Sequence, residues 1–330
     1  MKYFFFTTAL ACLAVMSCSR AAADMQDTVL MRVGIDSKAV SDVSGGVQLM
    51  LFNSDGRLAW GGISGDSSVI RVRSGRGCSL VALGCCPDVF LGGTPSLNDV
   101  LDLPVSLAEW NSPDGGFASC AIVRGLDLGA GENDVQLPLR RLASRVVLRS
   151  VTLAAGSGLE GAVLENVFLS NVVACRTPGG SGSTWANPMG RSSSDPSHVI
   201  DGNGYAADCP ELTFYHPRAV LHEGVPFTAD RNFYCYPNPC SADMSGGGSA
   251  SPLTKLVASV RIADRIYYYP VDLHDLHENC SYEVSLVLKN LGSSDPEMPL
   301  SQAVLQASVT MSEWAFGKEF ITNLSNQIKL

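Results

Sequence analysis

Several short segments of this 330-residue chain alternate apolar and polar side chains with a period of two, the pattern of a β-strand with one buried face. TVLMRVGI, residues 28–35, places Val29, Met31, Val33 and Ile35 on one side. SYEVSLVLKN, residues 281–290, alternates in the same way. VQLMLFNSDGRLAW, residues 47–60, joins two apolar runs through an Asn-Ser-Asp-Gly turn, which is typical of a hairpin. These patterns predict a mainly β fold.

One segment, SLNDVLDLPVSLAEW (residues 96–110), has the pattern of a short helix. Ser96 is a suitable N-cap because its hydroxyl can accept a hydrogen bond from a backbone N–H of the first turn. Pro104 ends the helix, since proline lacks the N–H that an interior helical position donates.

Length and composition favour two folded domains without a nucleic-acid partner. Apolar residues make up 46 % of the chain and charged residues 17 %, with 32 Gly and 17 Pro, which is typical of a folded, turn-rich protein. The net charge is −9, and no stripe of Lys or Arg offers a site for nucleic acid. The segment 137–153, LPLRRLASRVVLRSVTL, begins a new run of strands after a Gly-rich turn. We therefore place a domain boundary near Ser144, which gives domains of residues 19–143 and 144–330.

The first residues, MKYFFFTTALACLAVMSCS, have the charge, apolar run and small residues of a secretory signal. VMSC resembles a bacterial lipobox, in which the cysteine is acylated and becomes the new N-terminus. This pattern predicts a lipoprotein signal peptide over residues 1–18 with lipid on Cys18. The alternative is an ordinary signal in which Cys18 is incidental.

The chain has 11 cysteines, of which Cys12 belongs to the signal and Cys18 would carry lipid. The nine that remain are an odd number, so they cannot all pair within one chain. Several lie in apolar runs, where a free cysteine behaves as a small core residue. We expect at most one or two disulfides, with Cys235 and Cys240 as the favoured local pair.

Two stretches rich in Gly, Ser and Pro, residues 176–210 and 241–251, are predicted surface loops. Trp185 lies in the first and is the tryptophan that we expect to be exposed. Core packing is the expectation for Trp60, Trp110 and Trp314.

Four motifs follow one another along the chain. They are the lipobox, the junction LPLRRLASRVVLRSV, FYCYPNP (233–239) leading to YYYPVDL (267–273), and a C-terminal signature. The signature is LHENCSYEVSLVLKNLGSSDPEMPL (276–300) followed by VTMSEW (309–314). Together they resemble the FimA-like fimbrillins, the type V pilins of Bacteroidales.

This resemblance implies an all-β fold of two transthyretin-like β-sandwich domains in tandem. It also implies export as a lipoprotein to the outer membrane, removal of the N-terminal segment by a trypsin-like protease, and polymerisation by strand exchange. The partners would be other copies or related fimbrial subunits. The family's cleavage position corresponds to Lys38–Ala39 in GIDSKAVSD (34–42), with Lys where an Arg is usual, so residues 19–38 would form a propeptide strand.

The C-terminal segment WAFGKEFITNLSNQIKL (314–330) has an apolar residue at most alternate positions and is the predicted donor strand. Its apolar face consists of Trp314, Phe316, Phe320, Leu324, Ile328 and Leu330. The alternative is that the segment completes its own C-terminal sandwich, because alternation does not say which chain a strand pairs with.

We expect neither enzymatic activity, nor a metal site, nor a cofactor. His274, His277 and Cys280 in HDLHENC have side chains that bind zinc, but they would converge only in a helix, and zinc requires a fourth ligand. The segment leads into a strand, which predicts a turn with solvated imidazoles. The sequence contains no G-x-S-x-G, P-loop or H-E-x-x-H motif.

The predicted function is a structural subunit of a fimbria on the cell surface that contributes to adhesion. The alternatives are a monomeric outer-membrane lipoprotein that binds glycan or host protein, and an anchor subunit that is never cleaved.

Overall fold

The computed structural model describes residues 28–36, 39, 43, 45–90, 93–180, 184–185, 210–240 and 253–315. Within these residues the protein is nearly all β, as the alternating patterns predicted. The strands are β1 (Thr28–Ile35), β2 (Val47–Phe52), β3 (Leu58–Ser64), β4 (Ser67–Arg73), β5 (Gly75–Gly84), β6 (Val105–Ser106), β7 (Asn111–Ser112), β8 (Gly116–Phe117), β9 (Ser119–Leu128), β10 (Glu132–Leu137), β11 (Arg140–Arg141), β12 (Ser144–Leu153), β13 (Val163–Ser170), β14 (Val173–Arg176), β15 (Thr184–Trp185), β16 (Phe214–Tyr215), β17 (Ala219–Val220), β18 (Phe227–Cys235), β19 (Thr254–Ile262), β20 (Arg265–Leu273), β21 (Cys280–Leu288) and β22 (Leu305–Glu313). The helices are α1 (Leu97–Leu101), α2 (Leu107–Trp110) and α3 (Pro210–Thr213).

The first half of the chain forms a sandwich of two sheets, a three-stranded sheet in the order β10-β1-β4 and a five-stranded sheet in the order β11-β9-β5-β2-β3. Strand β1 is parallel to β10, and the other pairs are antiparallel. Apolar side chains from both sheets form one core cluster between them. Alternation in β1 places Val29, Met31, Val33 and Ile35 in this core, as predicted.

Strand β2 is buried on both faces. Leu49 and Leu51 belong to the core of the first sandwich, whereas Met50 and Phe52 point the other way, into a second and larger core cluster. All four side chains are at most 1 % exposed. This double burial explains why the four consecutive residues 49–52, LMLF, are all apolar instead of alternating.

The second half forms another pair of sheets, β18-β12-β21-β22 and β16-β13-β19-β20, with β17 also paired to β13. Strands β12 and β21 are parallel, and their other neighbours are antiparallel. Strand β12 starts at Ser144, the predicted boundary, but the larger core cluster contains residues from both sides of it. Strand β14 also pairs with β6 of the first half. The division into two domains therefore separates the main sheets and not the cores.

The predicted helix is present but shorter. Helix α1 begins after Ser96, whose hydroxyl accepts a hydrogen bond from the Asp99 N–H at 3.2 Å, while the Asp99 carboxylate accepts from the Ser96 N–H at 2.8 Å. The remainder, after Pro104, is β6 followed by α2. No helix in the described part of the chain is long and apolar enough to cross a bilayer.

The favoured disulfide, Cys235–Cys240, is wrong, because Cys235 is a free thiol with no exposed surface. Cys235 ends β18 and lies in the larger core cluster, so it acts as a small apolar residue. The prediction rested on the short sequence separation of Cys235 and Cys240, which does not show whether their Cβ atoms face each other.

Candidate assembly site

Strand β1 is the central strand of its three-stranded sheet although it is the first of the described strands. On one side it pairs antiparallel with β4, from Thr28 opposite Arg73 to Gly34 opposite Ser67. A hydrogen bond of 2.9 Å from the Ile35 N–H to the Asp66 carbonyl continues this ladder. On the other side, β1 pairs parallel with β10 over six residues. Without β1, β4 and β10 would both present unpaired backbone groups along one groove.

The apolar face of β1 packs against the core residues that form the floor of that groove. Val29, Met31, Val33 and Ile35 are between 0 and 6 % exposed. At about 1.5 to 3 kcal/mol for each fully buried side chain, the four contribute roughly 6 to 12 kcal/mol before the entropy of ordering the strand is subtracted. A strand that replaced β1 would need a comparable apolar face.

The chain after β1 returns to the core almost at once. Asp36 is exposed, but the side chain of Ala39 has no exposed surface and belongs to the same core cluster as β1. Lys38 lies outside the described residues. A protease that cuts at Lys38–Ala39 must therefore first displace Ala39, because proteases bind several substrate residues in extended conformation.

Arg32 is a poorer cleavage site than its exposed side chain suggests. Its guanidinium forms an ion pair of 3.0 Å with Glu132, with both side chains more than half exposed. Its backbone, however, lies in the middle of β1, between β4 and β10. The adjacent peptide bond is thus protected on both sides of the strand.

The described chain ends at Ala315, directly after a buried tryptophan. Trp314 is 6 % exposed, and its N–H donates to the Asn279 carbonyl at 2.7 Å. Its ring lies in the larger core cluster, at 4.9 Å from the ring of Phe117 in an edge contact and at 5.5 Å from the ring of Tyr234 in a stacked one. Phe117 comes from the first half of the chain, so Trp314 packs across the boundary.

Arg141 holds Trp314 from the opposite side. Its guanidinium carbon lies 4.3 Å from the centroid of the indole, and its Nη1 donates to the Trp314 carbonyl at 2.8 Å. A second bond of 3.4 Å reaches the carbonyl of Ala315. Arg141 itself is only 3 % exposed. Trp314 and Ala315 are therefore held in place at the end of the described residues.

This environment agrees with the core packing expected for Trp314, while the donor strand from Phe316 onward stays a prediction. Trp314 is buried in the core of its own chain, so it is not available to another subunit. Phe316, Phe320, Leu324, Ile328 and Leu330 lie outside the described residues, as does Cys18. The predicted loops lie outside them over 186–209 and 241–252, and so does the side chain of Trp185.

The HDLHENC segment forms hydrogen-bonded turns before β21. The carbonyl of His277 accepts from the Ser144 hydroxyl at 2.7 Å, and its N–H donates to the Tyr282 hydroxyl at 2.9 Å. The backbone of His277 is thus held in place, and β21 begins three residues later. In the part of the chain that the structure describes, no group of three or more His, Cys, Asp or Glu side chains could hold a metal ion.

Comparison with known proteins shows which solved structures share the fold of this chain. No protein-family model matches this chain, and no curated protein matches it in sequence. Among solved structures, the fimbrilin FimA of Porphyromonas gingivalis superposes with a TM-score of 0.62 at 14 % identity, over 89 % of this chain and 99 % of the other. The chain has the fimbrilin fold.

Two further structures share this fold. A proposed cell adhesion protein from Bacteroides eggerthii gives a TM-score of 0.59 at 15 % identity, over 88 % of this chain and 96 % of the other. One from Parabacteroides distasonis gives 0.58 at 12 % identity, over 89 % and 99 %. All three matches extend over both halves of the chain.

In this fimbrilin fold, the residues of the C-terminal signature have structural roles. Asn279 adopts a left-handed conformation with φ of 55°, its N–H donates to the Ala143 carbonyl at 3.0 Å, and its carbonyl accepts from Trp314. The Tyr282 hydroxyl donates to the Asp275 carbonyl at 2.8 Å. The Asn and Tyr at the start of β21 thus fix the turn that meets both the boundary and the last strand.

The Gly-Ser-Ser-Asp-Pro turn of the same signature fastens the next loop to β20. Ser293 and Tyr268 exchange two backbone hydrogen bonds, of 2.8 and 3.0 Å. A Cβ on Gly292 would lie 2.5 Å from the Tyr268 carbonyl oxygen, so only glycine permits this close approach. Asp295 closes the turn by accepting from the Glu297 N–H at 2.9 Å.

Sequence reasoning missed Arg141, which links the boundary segment to the end of the fimbrilin fold. The available signal was weak, since LPLRRLASRV contains three arginines and its pattern does not distinguish a buried guanidinium from exposed ones. A second missed feature is the burial of Ala39, one small residue in a polar segment.

Proposed function

We propose that this protein is a structural subunit of a bacterial surface fimbria, that it polymerises by strand exchange, and that it contributes to adhesion. The fold that it shares with a fimbrilin and with two proposed cell adhesion proteins supports this function. It acts without enzymatic activity, cofactor or metal, at the cell surface.

The single observation that carries the proposal is the position of β1. Strand β1 fills the centre of a sheet, between two strands that follow it in sequence, and contributes four core side chains. One cut after it, followed by its release, leaves a groove with two unpaired strand edges and an apolar floor. Such a groove is a template for a strand from another molecule.

The proposed maturation has three steps. The precursor is acylated at Cys18 and carried to the outer membrane, a trypsin-like protease cuts at Lys38–Ala39, and β1 departs. Since Ala39 is buried in the described structure, cleavage requires local opening of the segment after β1. The lipid and β1 leave together, because both precede the cut.

The proposed donor is the C-terminal segment of another copy or of a related subunit. Trp314 and Arg141 fix its starting point, and the 15 residues from Phe316 could reach about 50 Å if extended at roughly 3.3 Å per residue. Phe316, Phe320, Leu324, Ile328 and Leu330 offer an apolar face that replaces that of β1.

A second candidate is an anchor subunit of the same fimbria that keeps its lipid and β1. The burial of Ala39 favours it, because a closed cleavage segment protects the precursor. An anchor could still donate its own C-terminal segment to the next subunit. A monomeric surface lipoprotein that binds glycan or host protein gains no specific support.

The deciding experiment is to determine the N-terminal residue of the protein in filaments sheared from cells, for wild type, Lys38→Ala and the matched control Lys289→Ala. We expect Ala39 in wild type and in the control, together with ladders on unheated detergent gels. Lys38→Ala should remain a longer form outside the filaments. An acylated Cys18 in wild-type filaments would establish the anchor instead, and a monomer without filaments would refute both forms of the proposal.

A further inference from the structure

Three polar side chains lie in one row across adjacent strands of the second sandwich. The register pairs Ser170 of β13 with Lys255 of β19, and Lys255 with Asp272 of β20. The Lys255 side chain has no exposed surface, and its Nζ lies 2.7 Å from Oδ1 of Asp272, whose side chain is 28 % exposed. A fully buried lysine is rare in proteins and requires a partner.

The surroundings of this pair are polar and closely hydrogen bonded. The Thr254 hydroxyl donates to the Asn171 carbonyl at 2.8 Å and accepts from the Asn238 amide at 3.1 Å. Asn171 donates to the Leu253 carbonyl at 3.1 Å. Thr254, Asn171 and Asn238 are at most 1 % exposed, so this hydrogen-bonded network, which begins at the residue before Lys255, is closed to bulk water.

A third ionisable group belongs to the cluster. The Glu297 carboxylate accepts a hydrogen bond of 2.9 Å from the amide of Asn171, the residue after Ser170. Burial raises the pKa of Glu297, although the bond from Asn171 and the charge of Lys255 act in the opposite direction. Glu297 is therefore a largely buried carboxyl close enough to Lys255 for their charges to interact.

The ammonium of Lys255 and the carboxylate of Asp272 are held in contact by the strand register. Transfer of one proton from Nζ to the carboxylate removes both charges at once. The result is an amine with a free lone pair beside a carboxylic acid, held by two neighbouring strands. Such fixed proximity greatly accelerates reaction between two groups.

We propose that Lys255 and Asp272 condense into an amide that cross-links β19 to β20. This covalent bond is independent of the proposed function and adds a modification site to the second sandwich.

The reaction balances without any other reactant. After the proton transfer, the Nζ lone pair attacks Cγ of Asp272 and forms the N–C bond. Glu297 relays the proton that the nitrogen loses to the hydroxyl on Cγ, the C–O bond breaks, and one water leaves. The net change is ammonium plus carboxylate to amide plus water, so charge and atoms are conserved and nothing is oxidised.

The cross-link would close the open end of the β19–β20 hairpin, whose turn lies at the other end, after Ile262. Strand β20 is an edge strand of its sheet, so the hydrogen bonds to β19 are its main attachment. A covalent closure restricts the unfolded chain and keeps the edge strand in register.

The test is the intact mass of the purified full chain, with tandem mass spectrometry of its peptides. We expect the wild type to be lighter than its sequence mass by one water, with a branched peptide that joins Lys255 to Asp272. Lys255→Arg and Asp272→Ala should each have the full mass of their sequence. The matched control Lys289→Arg, at a half-buried lysine of the same sandwich that donates to the Gln302 carbonyl, should keep the loss of one water.

Glu297→Gln tests the proton relay, because glutamine keeps the size and the hydrogen bonds but cannot exchange a proton in the same way. We expect this folded variant to have the full mass or to lose water much more slowly. Full mass in folded wild-type protein overturns the proposal even if the variants fail to fold. Water loss that persists in Lys255→Arg also overturns it, and water loss at the wild-type rate in Glu297→Gln overturns the role of that residue.

Discussion

The guanidinium of Arg141 lies 4.3 Å from the centroid of the Trp314 indole while donating a hydrogen bond of 2.8 Å to the carbonyl of the same residue. Arg141 ends β11 in the first half of the chain, and Trp314 follows β22, the last described strand. The two residues are 173 positions apart in sequence. This contact fixes the end of the folded body and the start of the C-terminal segment.

Arg141→Ala should destabilise the protein by about 2 to 4 kcal/mol, because it removes a buried charge-assisted hydrogen bond and a desolvated cation–π contact. Urea unfolding followed by fluorescence measures this change. Arg57→Ala is the control, since Arg57 is 85 % exposed and forms a surface pair with Asp55; we expect a change below about 0.5 kcal/mol. Equal effects of the two substitutions would contradict the assigned role of Arg141.

Substitution of Trp314 should lower the stability of the monomer, whereas substitution of the apolar residues after it should affect only filament formation. Trp314→Ala should cost about 3 to 5 kcal/mol of monomer stability, as large-to-small core substitutions do. Leu324→Asp with Ile328→Asp should leave the monomer's thermal midpoint unchanged but abolish filament ladders. If the double variant fails to fold, the C-terminal segment completes its own sandwich and is not a donor.

Ala39→Asp should accelerate cleavage of the precursor by trypsin at Lys38. A carboxylate cannot remain in an apolar core without a large desolvation cost, so the segment after β1 opens more often. Each 1.4 kcal/mol of favoured opening gives a rate about tenfold higher when opening is fast relative to cleavage. Time courses with peptide mapping measure the rate at this bond, and the double variant with Lys38→Ala should lose the cut. An unchanged rate would mean that Ala39 does not control access.

The protein should lose stability above about pH 9. Burial raises the pKa of the Cys120 and Cys235 thiols to about 12 each, from the ordinary value of 9.0. In the unfolded chain these thiols ionise near pH 9, whereas in the folded protein they stay protonated up to about pH 12. Below pH 9 the contribution of each thiol to the free energy of unfolding is therefore complete, and between pH 9 and 12 it falls by about 1.4 kcal/mol per pH unit. Urea midpoints measured from pH 7 to 11 test this slope. Cys235→Ala should make it shallower, and an unchanged slope would contradict the prediction.

Alternation along β1 and β21 was enough to predict these strands, because one layer covers one face of each. It was not enough for β2, since a second core behind Met50 and Phe52 makes its residues 49–52 apolar on both faces. The same limit applies to Trp314. Its alternating segment predicted an apolar face, but the pattern contains no information on which layer, or which chain, covers that face.

Local chemistry was predictable where it acts over a few residues. Ser96 caps helix α1 as predicted, and the Asp-Pro turn of the C-terminal signature is closed by its own hydrogen bonds. The long-range contacts were not predictable, because they depend on how sheets pack. Arg141 against Trp314, Ala39 in the core and Lys255 beside Asp272 each join residues that their own sequence segments do not relate.

The double burial of β2 has a mechanical meaning. Leu49 and Leu51 pack into one core, and Met50 and Phe52 pack into the other. The second core extends through Trp314 to the sheets of the second sandwich. A load applied at the C-terminal end is thus shared by packed side chains throughout the body, without a soft joint between its halves. A rod assembled from such bodies would bend where one body meets the next and stay stiff within each.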